Sequence, residues 1–213
     1  TPLTNIRLYG ELLEDEIDES ETTAKKYVTV IRDESHRLSR LIHNVLSFSH
    51  SQRSRLQIHR REVELDALVS EVLEQFHIDF DEKGIELETK LGFGRGIQAD
   101  SDTVEQILVN LLSNVSKYAA GGGWLGVTTG ETDGYAFVRL ADHGPGIPVR
   151  FRETVFKPFQ RLSDRLNEGV SGTGIGLTIS RELARMHGGE LHVLDSQQGA
   201  VFEFLLPLGE DAP

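Results

Sequence analysis

The chain has 213 residues, a net charge of −12 and no cysteine, which excludes disulfides, thiolate catalysis and cysteine-bound zinc. Its 22 basic residues are dispersed among 34 acidic ones, a balance opposed to nucleic-acid binding, where a basic stripe must release counterions. With 38% hydrophobic and 26% charged residues and no apolar run of bilayer-spanning length, the composition is that of a soluble globular chain, long enough for one large domain or two ordinary ones.

The first segment places Leu3, Ile6, Leu13 and Ile17 at seam spacing, with Gly10 in a seam position. Residues 18–23 are acidic and polar and carry capping types before Ala24. From Tyr27 the apolar positions recur as Tyr27, Ile31, Leu38, Leu41, Val45 and Phe48, with Glu34 as the one polar member, and Val28 and Ile42 widen the stripe. This predicts a helical hairpin over residues 1–56 whose wide apolar face cannot be buried by one copy, so two copies should pair as a four-helix bundle. His36, His43 and His50 repeat every seven residues, but successive members lie two turns, roughly 10.5 Å, apart along a helix, which is a solvated face rather than a metal site. Residues 53–61 read as a solvated basic linker.

Past Arg61 the periodicity changes. Leu65, Leu68, Val69, Val72, Leu73 and Phe76 predict an amphipathic helix, Ile85, Leu87 and Leu91 alternate like a strand, and a second helix should start at about Ser101. Glycines 121–123 lead to a strand over 124–129, with further strands over 135–141, 190–194 and 201–206. Interleaved helices and antiparallel strands make the fold class α+β: the hairpin, then an α/β sandwich over residues 57–213, with helices on one face of a mixed sheet. His187-Gly188-Gly189 reads as a helix stop with a C-cap glycine. Residues 157–171 hold few apolar positions and read as a lid, with a functionless loop as the alternative.

Three stretches carry the chemistry. At about 100° per residue, Asn110, Asn114 and Lys117 fall within roughly 60° of one another, a polar stripe on a helix otherwise filled by Val104, Ile107, Leu108, Leu111, Leu112 and Val115. Two amide oxygens and an ammonium suit a hydrated Mg²⁺ and phosphate oxygens. Asp142 can accept from an exocyclic amine such as that of adenine, and Gly144 and Gly146 let the backbone approach a flat ring. Gly172-Thr173-Gly174-Ile175-Gly176-Leu177 then opens a helical pattern, presenting free N–H groups and a positive dipole end to phosphates.

The order and spacing of these stretches, together with Phe156-Lys157-Pro158-Phe159-Gln160-Arg161, resemble the catalytic core of a bacterial sensor histidine kinase along essentially the whole chain. They correspond to its asparagine box, first glycine box, phenylalanine box and second glycine box. The resemblance implies ATP and Mg²⁺ as ligands, with Asn114 on Mg²⁺ and Asn110 assisting, Lys117 on phosphate, Tyr118 on the ribose or base side, and Asp142 on adenine between Gly144 and Gly146. Gly172, Thr173, Gly174, Gly176 and Leu177 would cradle the phosphates, and Arg161 would reach the γ-phosphate, unless it is a surface ion pair. Phe156 and Phe159 are expected as core anchors of the lid.

The resemblance further implies a homodimer formed through the hairpin, a response regulator receiver domain as partner and a cytoplasmic location, with any membrane attachment made by upstream segments. Relatives that hydrolyse ATP carry a glutamate where Asn110 stands, and Glu105 lies on the opposite helix face. The γ-phosphoryl is therefore expected to pass to a hairpin histidine, placed by the resemblance four residues before Thr1. Thr1 matches the position that orients water for dephosphorylation, or else is an N-cap beside Pro2. A nucleotide-binding pseudokinase and a chaperone-type ATPase are the alternatives. Three positions depart from the family pattern: His143, Val115 and Ala200.

Overall fold

The computed structural model describes residues 58–160 and 174–209, and within the first 57 residues Ile6, Gly10, Glu11, Leu13, Val28 and Ile31. The chain divides into two compact units, Thr1–Arg55 and Leu56–Pro213. In the first, the six described residues are helical; Val28 is buried, while the seam residues Ile6, Leu13 and Ile31 are each about half exposed.

The second unit is a two-layer sandwich. Strand β1 (Arg61–Glu64) pairs antiparallel with β3 (Gly96–Ala99) in a small separate sheet. Strands β2 (Glu86–Leu91), β4 (Trp124–Thr132), β5 (Tyr135–Asp142), β6 (Glu190–Leu194) and β7 (Val201–Pro207) form a five-stranded sheet in the order β2-β4-β5-β7-β6. Only β2 with β4 is parallel, so the sheet is mixed as expected. Helices α1 (Leu65–Glu82), α2 (Ser101–Tyr118) and α3 (Gly176–Met186) complete the layer pair.

Period-two alternation decides which residues meet the helices. Leu125, Val127 and Thr129 of β4, Ala136, Val138 and Leu140 of β5, and Phe202, Phe204 and Leu206 of β7 are all buried. Against them lie Val69, Val72, Leu73 and Phe80 of α1 and Val104, Ile107, Leu108, Leu111, Leu112 and Val115 of α2. The apolar stripe of α2 read from the sequence is therefore core, which is what forces its polar positions to one side.

The opposite sheet face covers itself. The Trp124 ring lies against Gly126 and the Phe137 ring against Gly130, filling the places where side chains are missing. The Arg139 guanidinium sits 4.2 Å from the centre of the Phe137 ring. Glu203, buried in β7, is ion-paired with Arg139, and its carboxylate lies 3.1 Å from His192 Nε2.

The helix ends follow their caps. Asp100 precedes α2, and its Oδ1 accepts from Thr103 N at 3.2 Å, an N-cap that fixes the start at Ser101. The expected stop at 187–189 is present: Gly188 has φ 83°, and the N–H groups of Gly188 and Gly189 donate to the carbonyls of Arg185 and Ala184. Residues 53–61 end differently from expectation, because Arg61 already belongs to β1. Among the described residues no helix is long and apolar enough to cross a membrane.

Candidate functional site

Asp142 is the last inward position of β5, in the series Ala136, Val138, Leu140, Asp142. Alternation thus carries a carboxylate into the space between sheet and helices, where it is buried. Its Oδ1 accepts from Gly144 N at 2.8 Å and Ala200 N at 3.1 Å. Among the described residues no hydrogen bond to Oδ2 is found, so this oxygen is the one free to accept from a ligand. Burial pushes the Asp142 carboxyl above the usual carboxylate range, with the two backbone N–H groups and nearby His143 pulling the other way.

Close backbone approach fixes the surrounding loop. Gly199 has φ 65°, and a β-carbon there would collide with the Asp142 carbonyl. A β-carbon on Gly144 would lie 2.8 Å from the Ala119 Cα, so the loop after β5 rests on the C-terminal end of α2. Asn114, Lys117 and Tyr118 are half-buried along that last stretch of α2.

Asn110 meets α3. Its Nδ2 donates to Ser180 Oγ at 3.2 Å, which turns Oδ1 toward the start of α3, 3.5 Å from where a β-carbon on Gly176 would sit. Gly176 is the first residue of α3, so the free N–H groups and positive end of that helix open beside the asparagine stripe. Nine residues separate Asn110 from Ala119, a rise of about 13 Å. Helix α2 therefore links the Asp142 loop at one end to the glycine-opened helix at the other. An amide oxygen is a hard donor of the kind Mg²⁺ prefers, and Asn110 and Asn114 fit that ion.

One sequence expectation changes and several lie outside the described residues. Phe156 is buried as expected, its ring 4.6 Å from the Arg181 guanidinium, and Arg181 is itself paired with Glu153 and Glu190 at 2.7 Å each. Phe159, expected as a second core anchor, is 69% exposed. It adopts φ 62° and donates its N–H to the Gly174 carbonyl at 2.9 Å, so its backbone rather than its ring ties the phenylalanine box to the second glycine box. Thr1, Arg161, Gly172, Thr173, most of the lid and the heptad histidines lie outside the described residues.

Sequence reading missed a second link between α2 and α3. His187 is buried at the end of α3, and its Nδ1–H donates to the Leu183 carbonyl at 2.9 Å while Nε2 accepts from Asp100 N at 3.2 Å. That pattern is the neutral tautomer, and burial pushes the His187 imidazole below its usual range. Asp100 feels burial too, but the N–H groups of His59 and Thr103 hold its carboxyl below the ordinary value. The one signal available was a histidine standing immediately before a Gly-Gly stop.

Comparison with known proteins decides the family. The model described as "Histidine kinase-, DNA gyrase B-, and HSP90-like ATPase" matches residues 99–210, and "His Kinase A (phospho-acceptor) domain" matches residues 1–54. The chain belongs to the sensor histidine kinases. It is similar to the adaptive-response sensory kinase SasA of Crocosphaera subtropica, 32% identical over 217 residues that cover 98% of this chain and 56% of that protein. It is also 27% identical over 214 residues to the sensor histidine kinase WalK of Bacillus subtilis, covering 99% of this chain and 35% of that one. This kinase core thus spans between 35% and 56% of the length of these two curated relatives. Among solved structures, full-length ShkA in complex with AMPPNP superposes with a TM-score of 0.80 at 28% identity, covering all of this histidine kinase core and 44% of the ShkA chain.

Proposed function

We propose that this unit binds Mg-ATP between α2, the Asp142 loop and the start of α3, and that it transfers the γ-phosphoryl to a histidine of the N-terminal hairpin for relay to a receiver-domain aspartate. The observation that carries this reading is the meeting of Asn110 with Gly176 and Ser180 at one end of α2, and of Ala119 with Gly144 at the other. The two ends are spaced for a ligand with a flat base at one pole and phosphates at the other. The ATP analogue in ShkA supports the same choice of ligand.

Each group has a task its chemistry allows. The Asp142 carboxylate accepts from the exocyclic amine of adenine through Oδ2, while Oδ1 remains held by the backbone. Lys117, near the C-terminal end of α2, meets phosphate oxygens. Free N–H groups at the start of α3 receive the charge that develops on the phosphoryl in the transition state. Mg²⁺, held by Asn114 with Asn110, would neutralise phosphate charge and orient the chain of phosphates. Asn110 is an amide that donates to Ser180 and has no basicity to activate water, so the site favours a nucleophile brought from outside. A hairpin imidazole nitrogen forms the new bond to phosphorus as the bond to the β-phosphate oxygen breaks and ADP leaves.

The test supplies the 213-residue chain with labelled Mg-ATP and a hairpin peptide that includes a histidine four residues before the threonine-proline pair. Acid-labile, base-stable label on the hairpin is expected, and Asn114→Ala should abolish it. Steady ATP hydrolysis by the chain alone at about 1 per second or faster would instead favour hydrolysis of the chaperone type over transfer.

A further inference from the structure

His143 follows the adenine-reading Asp142 and is one of the three departures from the family pattern. The antiparallel register between β4 and β5 pairs Leu125 with Asp142, so the next rung sets Trp124 opposite His143. Leu125 and Asp142 point inward; their neighbours therefore point to the outer sheet face. There the imidazole and indole rings stack, with centroids 4.4 Å apart and planes 23° from parallel. Trp124 is anchored from a further side by its ring against Gly126.

The stack bears on the carboxylate through the backbone. His143 lies between Asp142 and Gly144, whose N–H holds Asp142 Oδ1 at 2.8 Å. Any rotation of the His143 backbone displaces that N–H and turns the carboxylate. The His143 carbonyl is meanwhile pressed against Gly122, where no β-carbon would fit. The loop is thus clamped at its carbonyl by the Gly121–Gly123 stretch and at its side chain by Trp124.

We infer that His143, stacked on Trp124, is a positioning residue that fixes the aim of the Asp142 carboxylate and so sets the selectivity of this chain for adenine over bases lacking a 6-amino group. The inference rests on the nucleotide site proposed above. It concerns a ring pair that touches no ligand and acts only through the peptide between Asp142 and Gly144.

Trp124 is the sole tryptophan, so intrinsic fluorescence reports on the stack directly. The full chain and its His143→Ala, His143→Asn and His143→Phe variants are titrated with ADP and with IDP, whose base lacks the 6-amine, by calorimetry, with Trp124 emission recorded in parallel. Loss of the ring should change Trp124 emission and weaken ADP about three- to tenfold, the scale of an aromatic pair. IDP should change by less than twofold, so that the selectivity ratio falls. His143→Phe, which can stack, should recover most of the ratio. A ratio unchanged in both His143→Ala and His143→Asn, or lost equally in His143→Phe, would overturn the inference while leaving the nucleotide site standing. Wild-type chain that fails to bind ADP would overturn both. Should His143→Ala and His143→Asn not fold, Trp124→Phe and Trp124→Ala pose the same question, the first expected to keep the ratio and the second to lose it; equal ratios overturn the inference.

Discussion

Asn110 of α2 and Ser180 of α3 are joined by a 3.2 Å hydrogen bond from the amide Nδ2 to the hydroxyl. Ser180 is fully buried, and four residues before it Gly176 begins the helix. The bond leaves the amide oxygen turned toward the helix start, so the partner of Asn110 decides which of its two polar atoms faces the proposed phosphate end.

Ser180→Ala should therefore do two things. It deprives a half-buried amide of its acceptor, at a cost of about 1–2 kcal/mol measurable by urea denaturation. It also frees the Asn110 amide to rotate, so the Mg²⁺-dependent part of ATP affinity should fall several-fold while Mg²⁺-free ADP affinity stays near wild type. Equal losses with and without Mg²⁺ would place the effect in general stability instead.

Asp142→Asn tests the base-reading role. Replacing the carboxylate by an amide of the same size should weaken ADP by about 1.5–3 kcal/mol, the range for a hydrogen bond to a charged group, with circular dichroism unchanged. The pH dependence has a definite sign. The acceptor must be ionised, and burial raises its pKa, so ADP affinity is complete above that raised value and is lost as pH falls through it. The loss begins at a higher pH than an ordinary aspartate would give, and it disappears in Asp142→Asn. Calorimetry from pH 7.5 downward on both proteins measures it.

Much of this was legible in the sequence because it depends on local periodicity. Helix α2 carries Val104, Ile107, Leu108, Leu111, Leu112 and Val115 at helical spacing, so its start near Ser101 and its polar side follow from the pattern. Strands β6 and β7 are bounded by Gly189, Gly199 and Pro207, and their limits were read to within one residue. What escaped notice was non-local or too short. Strands β1 and β3 have four residues each, only two alternations, and pair across more than thirty positions of chain. Phe159 looked like a core residue by type; its exposure follows from a backbone bond to Gly174, fifteen positions away. Trp124 and His143 meet through strand register, and His187 reaches Asp100 across 87 residues. No window of sequence contains both partners of such a pair.

His187 should make stability depend on pH. The buried imidazole is neutral in the folded chain and its pKa lies below the ordinary 6.5, so between that lowered value and 6.5 the unfolded chain binds more protons. Stability from this group is complete above about pH 6.5, declines as pH falls below it, and levels off beneath the folded pKa. Asp100, held below its own ordinary value, adds its loss only at lower pH. His187→Gln can still accept from Asp100 N but cannot titrate, and its stability profile between pH 7.5 and 5 should be flatter than wild type. Urea denaturation at half-unit steps gives the comparison, and parallel profiles would mean that another group governs this range.

The hairpin makes the last prediction. Within a single chain Val28 is buried, yet Ile6, Leu13 and Ile31 keep 47%, 51% and 49% of their surface exposed, all three at positions of the apolar seam. Apolar seams half-open on one copy are what a second copy would close, in keeping with the match of residues 1–54 to the phospho-acceptor domain. Ile31→Asp places a charge where two copies would meet, and the site is open enough in one chain for the carboxylate to stay hydrated there. Burying it unpaired in the bundle is costly. Sedimentation at micromolar concentration should show a wild-type dimer and an Ile31→Asp monomer of unchanged helicity, while ADP binding by the second unit should persist in both. A monomeric wild type, or a mutant that dimerises with equal affinity, would move the dimer contact away from this seam.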